Sequence, residues 1–79
     1  MATGQPIHGV IETAPPGMSL PPETGYTPIW ERHRGLLYVP NSEVPGVNLS
    51  VGAFIKFYLK TGTGSSGVTI NVAYDVSNF

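Results

Sequence analysis

From residue 47 to residue 59 every odd position is apolar: Val47, Leu49, Val51, Ala53, Ile55, Phe57 and Leu59. The intervening even positions are mostly polar or glycine, with Phe54 the exception. A period of two marks a strand with one buried face. After the glycine-rich stretch 61–67 the alternation resumes with opposite parity, and Val68, Ile70, Val72, Tyr74 and Val76 are apolar. The two runs predict an antiparallel hairpin, 47–60 with 68–77, dry on one face and wet on the other. For the apolar sets to share a face, paired positions must have an odd sum, as in Leu59 with Val68 or with Ile70. A slip of one residue would turn Val68, Ile70 and Val72 to water, at about 1.5–3 kcal/mol for each large side chain. Gly52, in the middle of the longer run, marks the expected bulge or bend.

The chain before the hairpin is less regular. Six of the eight prolines precede Trp30, and residues 1–25 carry Pro-Pro twice with neither helical nor strand periodicity. That stretch reads as an extended, polyproline-like arm. Within it Ile7, Val10 and Ile11 suit a short edge strand, and Met18 and Leu20 suit anchorage on a neighbour. Residues 26–30 form a short extended piece interrupted by Pro28. Residues 36–39 make a short strand closed by Pro40, and 41–46 are a turn-rich loop. No stretch has a 3.6-residue period. The fold expected is all-β: an arm, 1–25, followed by a small antiparallel sheet or sandwich, 26–79. Its expected core is Leu36, Tyr38, Val51, Ile55, Phe57, Val68, Ile70, Val72 and Tyr74.

Size sharpens this picture. The chain has 79 residues and no cysteine, and a domain this small hides only about 60% of its unfolded surface. Chains of this length without disulfide or metal are usually stapled by oligomerisation. The hydrophobic face is therefore expected to be completed by other copies of this chain or by other proteins. Charge is low and balanced, with four basic against five acidic residues. A basic face or tail is lacking, so nucleic acid is not an expected partner. The first residues lack the basic and apolar regions of a secretory leader. No run approaches the roughly 20 apolar residues of a membrane span, so no membrane partner is expected.

Candidate chemistry is sparse. Residues 62–67 match G-x-G-x-x-G by letter, but a strand pattern follows where a dinucleotide fold requires a helix, so the reading is a hairpin loop. Trp30, Glu31, Arg32, His33 and Arg34 form the one dense polar cluster. It reads as a connector or an intersubunit salt-bridge site with Trp30 as apolar anchor. His8 and Glu12 lack the helix that would align them as metal ligands, and no metal or other cofactor is expected. No nucleophile turn supports a hydrolytic triad, and two histidines with little pocket volume argue against an enzyme. The sequon letters Asn48-Leu49-Ser50 fall inside the strand pattern. Phe54 and Tyr58 stand on the otherwise polar face of the first hairpin strand, and such aromatic pairs mark contact patches.

Residues 35–61, GLLYVPNSEVPGVNLSVGAFIKFYLKT, resemble the closing strands of shell-domain coat proteins of small icosahedral viruses. Val51, Gly52 and Tyr58 stand at the matching places. The resemblance implies jelly-roll-like strands and a structural virion protein, capsid or decoration, located in the virion among copies of itself or other capsid proteins. Inter-subunit contacts are then expected at Ile7, Val10, Ile11, Met18, Leu20, Trp30, Arg32, Arg34, Phe54 and Tyr58. The alternative is a small β binding module that recognises a carbohydrate or peptide through exposed aromatics.

Overall fold

The computed structural model describes residues 4–79. It is nearly all β: β1 (Ile7–Val10), β2 (Tyr26–Glu31), β3 (Gly35–Pro40), β4 (Phe54–Thr63) and β5 (Thr69–Asn78), with one 3-10 turn at Val44–Gly46. Among the described residues no helix is long and apolar enough to cross a membrane. The strands form a single mixed sheet in the order β1-β4-β5-β3-β2. β3 runs parallel to β5, paired through Tyr38 and Val72, and the other neighbours are antiparallel. This corrects the expected purely antiparallel sheet. The two outer strands also meet. Ile11 bridges Glu31, the Glu12 N–H donates to the Trp30 carbonyl at 2.8 Å, and the Arg32 N–H donates to the Val10 carbonyl at 2.9 Å. The sheet thereby curls into a barrel closed along a short seam, which removes exposed edges.

Alternation on each strand places the interior. Ile29, Leu37, Val39, Ile55, Phe57 and Ala73 pack inside with Ile11, which is 3% exposed. Residues 7–10 add the short strand expected within the proline-rich stretch, and Ile11 extends its pairing by a bridge to Glu31. Ile7 faces Phe57 and Gly9 faces Ile55 in the β1–β4 register, and Ile11 donates to the Ala53 carbonyl at 3.0 Å. Residues 1–3, the start of the expected arm, lie outside the described residues.

The first half of the expected hairpin strand is not strand. Residues 47–53 cross one end of the barrel, where Val47, Leu49 and Ala53 pack on the core. Their alternation buries one side, but their tether is a side chain: Asn78 accepts from the Asn48 N–H at 2.8 Å and donates to the Asn48 and Phe54 carbonyls. Asn48 in turn accepts from the Ser50 N–H and hydroxyl, a local Asx turn. Val51, expected in the core, is 66% exposed on the turn that precedes β4, where Ala53 donates to Ser50.

Register is the sharpest departure. Near the loop the pairs are Tyr58 with Tyr74, Lys60 with Val72 and Gly62 with Ile70, which give even sums. Beyond, Lys56 pairs with Ser77 and Ile55 with Asn78. β5 thus holds one extra residue between Tyr74 and Ser77, a bulge. Asp75 there has φ of 51°, a left-handed conformation that Asp tolerates. The freed N–H groups of Asp75 and Val76 donate to the Glu43 carboxylate at 3.1 and 2.7 Å. Gly52, the expected site of a bulge or bend, lies in the turn before β4 with φ of 91°, while the bulge itself falls in β5 where Glu43 accepts the freed amides.

Because of that register, Ile70 and Val72 do not share a face with Ile55 and Phe57. They lie outside the barrel with Tyr38, in a second small core flanked by Tyr26 and Leu36. Val68, expected inside, is 61% exposed, and Tyr74 is half-buried against Tyr58 at 5.7 Å between ring centres. The outer core is buried because the chain between β1 and β2 lies over it, and Tyr38 donates its hydroxyl to the Pro21 carbonyl at 2.8 Å.

Candidate functional site

Beside this outer core the surface opens into a groove of about 470 Å³. Its floor is Leu36 and Tyr38 from β3 with Ile70 from β5. One wall is Pro21 and Glu23 from the β1–β2 connection. The other comes from Ser66 and Val68 of the β4–β5 loop and from Thr69 and Asn71, and Arg34 of the β2–β3 turn lines it too. The β3–β5 seam is paired at a single position, Tyr38 with Val72, and the groove lies where the two strands begin.

Two loops of opposite origin are held at a fixed spacing. The Ser65 N–H donates to Glu23 Oε1 at 2.6 Å. Gly64 lies so close that a Cβ there would stand 2.7 Å from Glu23 Oε2, so a larger residue would push the carboxylate from its present position. The loop itself closes through Gly64 N–H to the Val68 carbonyl and Gly67 N–H to the Gly64 carbonyl, at 2.7 and 2.9 Å. The glycine-rich 62–67 run is therefore a hairpin loop clasped by an acid, with no helix after it. Burial pushes the Tyr38 phenol above its ordinary value, and the nearby Glu23 charge adds to this.

The opposite end is built on a buried acid. Glu31 points into the barrel and is fully buried. Its Oε1 accepts from the His33 and Arg34 N–H groups at 3.1 and 2.9 Å, and its Oε2 from the Val10 N–H at 3.3 Å. Arg34 Nη1 adds a contact at 3.3 Å. Gly9 leaves the room: a Cβ there would meet Glu31 Cγ and Oε2 at 2.9 Å. Burial raises the Glu31 pKa, but the three backbone donors and the guanidinium outweigh it and hold the carboxyl below its ordinary value. Glu31 thus pins the barrel seam and the base of Arg34. Its carboxylate is enclosed, whereas His33, two residues on, is exposed.

The expected contact residues scatter. Ile11 is buried in the chain's own core, and Ile7, half-buried, packs against it. Val10 pairs with Phe54 on the outside of the barrel. Met18 is exposed and Leu20 half-buried on the β1–β2 connection. Trp30, half-buried, lies against Gly35. Arg32 Nε is engaged by Glu12 Oε2 at 2.7 Å, whereas Arg34 reaches the groove, so the two arginines serve different places. Phe54 is 54% exposed and clusters with Phe79 and His8. The groove residues Glu23, Ser66, Thr69 and Asn71 carried no sequence signal. Only the close Gly64 hinted that something approaches the loop.

No protein-family model, curated protein or solved structure matches the chain.

Proposed function

We propose that this chain is a binding module, a small β barrel that takes an extended ligand in the groove between the β1–β2 and β4–β5 connections. The observation that carries the reading is the clasped groove: two loops fixed by Glu23 over an apolar floor, with a cation at one side. Concave apolar sites with a few placed polar groups are the general form of ligand sites. The connectivity agrees. Taken around the barrel the strands run β1-β2-β3-β5-β4 with β3 and β5 parallel. That is the plan of five-stranded Greek-key barrels of the oligonucleotide- and oligosaccharide-binding type, which hold ligands on this face and with these two loops. Fold analogy sets only the place; the chemistry must come from the side chains.

A second reading, a structural subunit of a virion contacting copies of itself or other capsid proteins, draws on a different surface. Phe54 and Phe79 are 54% and 62% exposed and lie together with His8 on the β1–β4 side. Exposed apolar clusters of this kind mark protein contacts.

One experiment separates the two. Backbone amide shifts of the labelled chain are followed while mixtures of short peptides, neutral oligosaccharides and oligo(dT) are added. The binding reading expects saturable shifts at Leu36, Tyr38, Thr69, Ile70 and Asn71 with one of the mixtures. Shifts confined to His8, Phe54 and Phe79 that follow protein concentration alone would favour the subunit reading and count against the groove.

A further inference from the structure

We infer that the ligand of this groove is an extended peptide segment carrying one carboxylate beside an aliphatic side chain, with Arg34 as the anchor for the carboxylate. The inference rests on the binding reading above and deepens it.

One acid, Glu23, and one cation, Arg34, line the groove, and the acid is committed to the β4–β5 loop. Glu23 is engaged by the Ser65 N–H and packed against Gly64, and Glu31 is buried beneath the β2–β3 turn. Arg34 gives Glu31 one contact, at 3.3 Å, and among the described residues its other guanidinium N–H groups have no protein partner. Its side chain is 36% exposed. The contact uses Nη1 and leaves the Nε–Nη2 edge of the guanidinium for a planar oxyanion. The groove floor of Leu36 and Ile70 lowers the local dielectric, which strengthens such a pair.

The rest of the lining selects among anionic ligands. A stacking platform for bases or sugar rings needs an exposed aromatic face. Tyr38 is 3% exposed with its hydroxyl held by Pro21, and aliphatic side chains make up the rest of the floor. A polyanion needs several cations, and Arg34 is the only basic residue in the lining. An arginine with free N–H groups beside a Glu23 already held by the Ser65 N–H, over an aliphatic floor, fits a peptide with one acidic residue. The Ser66 hydroxyl and the strand at Thr69–Asn71 border the path of its backbone.

The test uses end-capped, fluorescein-labelled hexapeptide pools of Leu, Ile and Val with one fixed central residue: Glu, Gln or Lys. Anisotropy titration of the full chain should rank Glu above Gln by about tenfold or more, with Lys weakest. R34Q should erase the Glu-over-Gln difference. S66E, on the exposed loop, should weaken the Glu pool by a several-fold larger factor than the Gln pool, which keeps the test valid if R34Q unfolds. Equal affinity for Glu and Gln pools, or a Glu preference that survives R34Q, overturns the inference while the groove remains a binding site. Tighter binding of oligo(dT) or of an oligouronate, run as parallel arms, overturns the peptide assignment. Silence of every arm together with unmoved groove amides removes the binding reading itself.

Discussion

Replacing Glu31 by alanine should destabilise the barrel by about 3 kcal/mol or more, because three backbone donors lose their buried acceptor at once. That is a large share of what a small domain holds. E31Q keeps the shape but not the charge. It should cost about 1 kcal/mol or somewhat more, the difference between hydrogen bonds to charged and to neutral acceptors. Urea unfolding of the three proteins measures both. The same carboxylate predicts a pH effect with a definite sign. Glu31 is held below its ordinary value of 4.5 in the folded chain, so the unfolded chain binds more protons as acid is added. Its contribution is complete above about pH 4.5 and disappears as pH falls through the lower, folded value. Stability of the native chain should therefore drop on acidification below that point, and in E31Q this component of the slope should be gone. An E31Q protein with unchanged stability and an unchanged acid slope would show that Glu31 does not hold the seam.

Gly9→Ala is the companion change. The new methyl would meet Glu31 Cγ and Oε2 at 2.9 Å, and that side chain cannot swing away without losing its donors. Overpacking of this kind costs about 1–3 kcal/mol. In an E31A background the obstruction is absent, so the same alanine should be nearly neutral. The two changes are therefore expected to be strongly non-additive. A full cost for Gly9→Ala in both backgrounds would point to backbone strain in β1 instead.

These two residues also show where sequence reading runs out. The β4–β5 hairpin was legible because Ile55 and Phe57, and then Ile70 and Val72, alternate cleanly. Alternation cannot tell which side is covered, however. Ile70 and Val72 were assigned to the same face as Ile55, but they lie outside the barrel beneath the β1–β2 connection, because the bulge at Asp75 lets the register differ on its two sides. Glu31 looked like a solvated connector, since nothing local reveals that distant Gly9 leaves space for its carboxylate. The short strand at residues 7–10 is legible from Ile7 and Val10, but its partner is not, because four strand residues among prolines carry too little periodic signal to set a register. The run at 47–53 alternated for a real reason, burial of Val47 and Leu49, yet its polar tether is Asn78, thirty residues from Asn48. The groove was invisible for the same cause. Pro21, Leu36, Ser66 and Ile70 come together only once the barrel has closed.

Closure within one chain is the claim on which groove, seam and clasp all depend, and native-state amide hydrogen exchange at high dilution tests it most directly. The Ile11, Glu12 and Arg32 amides, which donate to Ala53, Trp30 and Val10, should be protected to the same degree as the amides in the centre of β4 and β5. Exchange of those three at unprotected rates while β4 and β5 stay protected, or protection that appears only as concentration rises, would contradict a barrel that seals itself.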